Sequence, residues 1–154
     1  MSLYFLDSSA LAKRYVTETG SAWVRALTDS AARNPLIIAR ITWVEVCSAL
    51  ARRQREGSLT PGEVTQATQT FRYDIDMQYQ VAELDRTLAE VAGELVARHP
   101  LRAYDAVQLA SALQTQADLV RAQAPPLIFL SADDRLLAIA QAEGLLTDNP
   151  NHHP

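Results

Sequence analysis

Three short, unbroken apolar runs set the limits on how this chain can fold: "LYFL" at 3–6, "LIIA" at 36–39 and "LIFL" at 127–130. None alternates polar with apolar residues as a half-exposed strand would, and each is too short to be an amphipathic helix. Continuous apolar runs of this length suit strands covered on both faces, as in a parallel sheet between two layers of helices. The intervening segments have helical character over 8–15, 21–31, 42–57, 60–76, 84–98, 103–120 and 131–143. "YQVAEL" at 79–84 supplies a further strand and "LL" at 145–146 an edge strand. The expected fold is α/β: a three-layer α/β/α sandwich around a central parallel sheet.

The punctuation agrees with this division. Thr60, Pro61 and Glu63 place a cap, a first-turn proline and a capping-box acid at one helix start. Asn34–Pro35, His99–Pro100 and Pro125–Pro126 interrupt the chain between elements, and Gly144 stops the last helix. With 154 residues, 48% of them apolar, the chain can bury one core. It reads as a single domain over 1–147, followed by a polar, loose tail over 148–154. No run approaches the roughly 20 apolar residues of a membrane span. The first strand follows the start of the chain with no basic leader, so a cytoplasmic protein with no membrane partner is expected. One cysteine, Cys47, excludes an internal disulfide and a Cys-rich zinc site, and its apolar neighbours make it a packed thiol.

Four acids fall where predicted strands end or helices begin: Asp7, Glu45, Asp105 and Asp133. In a parallel α/β sheet, ligands gather beyond the carboxyl ends of the strands. Asp7 directly follows "YFL" and Asp133 follows "LIFL" by three positions, so both point to that edge. Carboxylates gathered there repel one another unless a cation joins them, and hard oxygen donors suit Mg²⁺ or Mn²⁺.

Each acid also has a local role open to it. Asp7 can cap the first helix, although Ser8 and Ser9 are equally good caps. Glu45 fits a capping box opened by Thr42. Asp105 suits the positive end of a helix and has Arg102 nearby. With Ser131 as cap, Asp134 occupies the capping-box position, while Asp133, about 100° away around the helix, is free to face the sheet edge.

The formal net charge of −4 speaks against broad, non-specific nucleic-acid binding but leaves room for a local basic rim. Of the 14 basic residues all but Lys13 are Arg. Arg52, Arg53 and Arg55 form one cluster, while Lys13–Arg14, Arg102 and Arg135 lie beside the acidic motifs. The three histidines are too scattered for a metal triad.

At these motifs the chain resembles the PIN-domain ribonucleases, in particular the VapC-type toxins of toxin–antitoxin pairs. The segments that carry the resemblance are "YFLDSSALAKRYVTETGS", "ITWVEVCSALAR", "LRAYDAVQLASAL" and "LIFLSADDRLLAIAQAEGL", and the resemblance covers essentially 3–146. The resemblance implies metal-binding, catalytic acids at Asp7, Glu45, Asp105 and Asp133. It implies supporting hydrogen bonds from Ser9 and Ser131, with Asp134 as a lesser contributor. It further implies an RNA substrate cut by metal-activated water to 5′-phosphate and 3′-hydroxyl ends, a homodimer, and an antitoxin partner that blocks the groove. Two other readings compete: a PIN-like interaction module without turnover, and an aspartate-dependent phosphotransferase built on "FLDSS". The second wants an acid where Ser9 stands and a downstream lysine, where the chain has only Lys13.

Overall fold

The computed structural model describes residues 2–154. Five strands form one all-parallel sheet: β1 (Tyr4–Leu6), β2 (Leu36–Ala39), β3 (Tyr79–Ala82), β4 (Ile128–Leu130) and β5 (Leu146–Asp148). Their order across the sheet is β3-β2-β1-β4-β5. The central strand is thus the one that ends at Asp7. Seven helices surround the sheet: α1 (Ser8–Tyr15), α2 (Ser21–Thr28), α3 (Thr42–Arg55), α4 (Pro61–Met77), α5 (Arg86–Arg98), α6 (Ala103–Arg121) and α7 (Asp134–Ala142).

The apolar strand runs explain the layering. Successive side chains of a strand leave opposite faces of the sheet. Phe5, Ile37, Ala39 and Phe129 pack on one face with Leu88 and Leu95 of α5, Leu109 of α6 and Leu136 of α7. Leu6, Leu36, Ile38 and Leu130 pack on the other with Leu11 of α1, Val46 and Leu50 of α3 and Phe71 of α4. Phe5 and Phe129, neighbours in register across β1 and β4, stack with ring centroids 5.8 Å apart. Two cores back to back, with the sheet between them, make the expected three-layer sandwich.

Several boundaries move for local reasons. The helix expected over 21–31 ends at Thr28, because Asp29 turns extended and caps a short 3₁₀ turn at Ser30–Ala32 through the Ala31 amide. The third strand stops at Ala82, and Glu83 turns out to pair with Arg40. Asp85 caps α5 through the Leu88 amide, so that helix starts at Arg86. The capping box of Thr60 and Glu63 forms as expected. Cys47, expected in the core, is only part-buried.

The tail expected to be loose is instead folded back. Pro150–His152 forms a 3₁₀ turn, and the His153 ring stacks on Trp23 of α2 with centroids 4.0 Å apart and planes 4° from parallel. His153 Nε2 also lies 3.0 Å from both carboxylate oxygens of Asp148. An aromatic surface on α2 and a carboxylate at the end of β5 give the tail two anchors, which a polar, proline-rich sequence does not advertise.

Gly20 makes this docking possible. Its φ of +83° is left-handed, and a Cβ there would stand 2.2 Å from the Pro150 carbonyl oxygen. Gly57 has nearly the same φ, +82°, but open space around it. Gly57→Ala should therefore show only the backbone cost of a left-handed residue, about 1–3 kcal/mol. Gly20→Ala should lower the melting temperature clearly further and shift the Trp23 fluorescence as the tail lifts. Equal melting temperatures for the two variants would contradict a tail packed on Gly20.

Candidate active site

The end of β1 is the centre of the site. Asp7 is buried, at 4% exposure, and is itself the N-cap of α1. Its Oδ1 accepts from the Ser9 hydroxyl at 2.7 Å and the Ala10 amide at 2.9 Å. Neither Ser8 nor Ser9 caps the helix, contrary to expectation; the two hydroxyls serve the site instead. Both of these bonds fall on Oδ1, and the Ser131 hydroxyl also steadies the charged carboxylate.

Ser9 ties this centre to the β4–α7 connection. Its Oγ lies 3.3 Å from the Ser131 hydroxyl and accepts from the Ala132 amide at 2.9 Å. Ser131 in turn accepts from the Asp133 amide at 3.1 Å. Asp133, and not Ser131, is the N-cap of α7, its Oδ1 accepting from the Arg135 and Leu136 amides at 2.9 and 3.3 Å. Asp134 is no capping-box acid: its Oδ1 accepts from the Asn149 side chain at 2.7 Å and so holds the start of the tail. Asp133 thus takes the helix-start role that the sequence suggested for Asp134, while Asp134 turns to the tail. The cause is the extended backbone at Asp133, which moves the helix start past Ser131.

Glu45 does not cap α3 either. The cap position falls on Ile41, which makes no side-chain cap bond, and Glu45 reaches across to two other helices. Its Oε2 accepts from the Ser8 hydroxyl at 3.0 Å and its Oε1 from Gln108 Nε2 at 2.8 Å. Gln108 Nε2 also donates to the Thr42 hydroxyl at 2.8 Å. These bonds bring the first turns of α1, α3 and α6 together. Asp105 lies one turn before Gln108 on α6, and its partner is Arg102, with Oδ2 3.4 Å from Arg102 Nε. Gln108 and Ser8 are the site residues that sequence reasoning missed. The signal for Gln108 was a polar residue one turn after Asp105 on the apolar stretch "AVQLASAL".

Burial, the largest influence, pushes the Asp7 carboxyl up from its ordinary 3.8 to about 6. The Ser131 and Ser9 hydroxyls and the Ala10 amide pull it back, and the Glu45 carboxylate raises it. Asp7 and Glu45 therefore feel each other's charge. A cleft of about 660 Å³ opens beside them, lined by Ser8, Ser9, Glu45, Tyr104 and Ala132 at one end and Glu18, Arg52 and Arg53 at the other. Of the expected basic rim, Arg53 pairs with Glu18 at 2.7 Å, and Arg14 turns inward to Asp74 and Thr28. Lys13, the only lysine, is buried against Glu18 and the Thr19 carbonyl. It is not free to serve a phosphorylated aspartate.

The donor set fits a hard divalent cation: carboxylate oxygens at one sheet edge, on a buried aspartate whose ionisation burial resists. The cage is not closed in this conformation. Among the described residues, no three His, Cys, Asp or Glu side chains are grouped as a ready-made metal site. Arg102 engages Asp105 and the helix cap engages one oxygen of Asp133.

The PIN domain model matches residues 4–142. The chain belongs to the PIN-domain family. A relative named Ribonuclease VapC49, from Mycobacterium tuberculosis (strain H37Rv), is 38% identical over 113 residues, covering 73% of this chain and 76% of that protein. This places the chain in the VapC branch of the family. Among solved structures, VapBC2 from Rickettsia felis, bound to a promoter DNA fragment, matches with a TM-score of 0.63 at 12% identity, over 96% of this chain and 98% of its own. M. tuberculosis VapC20, described as a sarcin–ricin loop cleaving toxin, matches with a TM-score of 0.62 at 17% identity, over 94% and 97%. These structures share the fold of this VapC-type PIN domain.

The raised Asp7 pKa has a direct consequence. A group whose folded pKa lies above its unfolded value adds stability at low pH and loses it as pH rises. The Asp7 contribution should be complete below pH 3.8 and gone above about pH 6. It amounts to about 3 kcal/mol, at about 1.4 kcal/mol per pH unit. Asp7→Asn, which keeps a cap acceptor, should flatten this part of the pH–stability curve and melt higher than wild type at pH 7.5 in chelator. Parallel curves for the two proteins would contradict a buried, charge-resisting Asp7.

Proposed function

We propose that this chain is a metal-dependent endoribonuclease acting as the toxin of a toxin–antitoxin pair. The observation that carries the reading is the Asp7–Glu45 pair: one carboxyl buried and held toward its neutral form, the other clamped by Ser8 and Gln108 at the mouth of a cleft. Structural roles alone do not explain two mutually repelling acids on the open edge of a parallel sheet. Membership of the PIN family and the ribonuclease name of the 38%-identical relative support the same conclusion.

Asp7, Glu45, Asp105 and Asp133 would hold Mg²⁺ or Mn²⁺. A divalent cation bound there supplies a lowered pKa for the attacking water and neutralises charge on a phosphate oxygen. The side chains do the remaining work. Ser9 and the Ala10 amide hold Asp7 Oδ1 and so fix the direction of the carboxylate. Ser131, through the Asp133 amide and the Ser9 hydroxyl, fixes the last acid against the first. Asp105, tied only by a long contact to exposed Arg102, has the freedom to accept the proton of the attacking water. The RNA would leave with 5′-phosphate and 3′-hydroxyl ends.

The cleft running from Glu45 to Arg52 and Arg53 combines Val44, Ala49 and Leu50 with the charged Glu18. That mixture suits an antitoxin segment carrying apolar and basic residues, which would block access to the acids. Exposed apolar side chains on α5 and α6, Val96 and Val120, offer surface for a second copy in a homodimer. Among the described residues no helix is long and apolar enough to cross a membrane. We assign the protein to the cytoplasm, where RNA and the antitoxin would meet it.

Purified protein should cut RNA with Mg²⁺ or Mn²⁺ and not with chelator. Asp7→Asn, Glu45→Gln, Asp105→Asn and Asp133→Asn should each reduce cleavage by about 100-fold or more, at or beyond the upper end for changes around a metal site. Pairs of these changes should cost little more than one. Asp134→Ala should keep most of the cleavage and lose stability, because it removes the acceptor of the Asn149 side chain. Chelator-resistant cleavage, or full activity in Asp7→Asn, would overturn the reading.

A further inference from the structure

Gln108 is the side chain whose chemistry the fold does not explain. It lies on α6 among Ala106, Leu109 and Ala110, is 1% exposed, and its Oε1 has no hydrogen-bond partner. A buried acceptor left unbonded is a standing cost to the folded state and calls for a reason. An apolar residue of the same size would fill the space without it.

The reason lies on the other atom. Gln108 Nε2 donates at 2.8 Å to Glu45 Oε1 and at 2.8 Å to Thr42 Oγ1, both on the first turn of α3. Turning the amide over would set Oε1 against the Glu45 carboxylate, acceptor facing acceptor, and would leave a buried N–H₂ with fewer partners. The orientation is therefore fixed by Glu45, and the unbonded Oε1 is its consequence. Ser8 holds the other Glu45 oxygen at 3.0 Å. Glu45 is thus gripped from both sides, once from α1 beside Asp7 and once from α6, one turn beyond Asp105.

We infer that Gln108 is a positioning residue of the site: its amide fixes the Glu45 carboxylate and sets the start of α6, with Asp105, against α3. It touches neither substrate nor cation and acts through Glu45. This rests on the nuclease reading for its purpose, but the contact can be tested apart from activity.

The test uses Gln108→Met, close in size with no donor, Gln108→Glu, close in shape with an acceptor in place of the donor, and both changes combined with Glu45→Gln. Three readouts apply: Mn²⁺ affinity by electron paramagnetic resonance, RNA cleavage, and the side-chain amide signals in ¹H–¹⁵N spectra. In wild type the Gln108 N–H₂ pair should exchange slowly and move on Glu45→Gln. Gln108→Met should weaken Mn²⁺ binding and cleavage by about 10-fold or more, the range for residues that orient metal ligands. Gln108→Glu should be worse than Gln108→Met. In the Glu45→Gln background Gln108→Met should add nearly nothing, because the group it positions is gone.

A merely structural Gln108 would give the same further loss in both backgrounds, and that result overturns the inference. So does Gln108→Met with wild-type Mn²⁺ affinity and cleavage. If a variant unfolds, the amide signals of the wild-type and Glu45→Gln proteins still decide: fast exchange, or no response to Glu45→Gln, refutes the grip. Wild-type protein that neither binds Mn²⁺ nor cuts RNA would instead overturn the functional reading, leaving the amide signals to judge the contact alone.

Discussion

The Asp7 carboxylate stands at the end of the central strand, buried, and the rest of the site is built around the problem of keeping it there. An ionised group in that position is disfavoured by burial and by Glu45 nearby, as its pKa of about 6 records. The protein's answer is local and polar. Ser9 and the Ala10 amide hold one oxygen, and Ser9 reaches on to Ser131 and the Ala132 amide. That chain of hydroxyls fastens the β1–α1 turn to the β4–α7 turn, 122 residues apart between the two serines. The sheet order, with β4 directly beside β1, is what allows so short a connection.

The same arrangement shows where stability yields to function. Apolar residues in the places of Asp7, Glu45 and Gln108 would remove a resisted charge, a repulsion and an unbonded acceptor. The cores above and below the sheet, with Phe5, Phe129, Leu6 and Leu130 fully buried, provide the stability that tolerates them. The energetic burden falls at the edge where the cleft opens.

Much of this was legible in the chain itself. The apolar runs of β1, β2 and β4 reveal buried parallel strands, because a strand covered on both faces has no polar alternation. The four acids stand out because a parallel sheet gathers its strand ends. What stayed hidden depended on backbone detail or on contacts far apart in sequence. Whether Asp133 or Ser131 caps α7 turns on the φ and ψ of one residue, and the motif "SADD" permits either. Thr42 and Glu45 match a capping box, but the helix start leaves the pair unused, and Glu45 finds Ser8 and Gln108 across 37 and 63 residues. The tail looked loose because its anchors, Trp23 and Asp134, lie elsewhere in the chain.

Burial raises the Asp7 pKa to about 6, and a divalent cation that joins it to Glu45 and the other acids would stabilise its ionised form. Binding must then release a proton, since a coordinating carboxyl has to ionise. Titrating Mn²⁺ calorimetrically at pH 6, in buffers of differing ionisation enthalpy, measures that release directly. The account predicts proton release on Mn²⁺ binding that shrinks as the pH rises above about 6, and none from this site in Asp7→Asn. Binding heats independent of the buffer, or no Mn²⁺ binding by the wild-type protein, would contradict it.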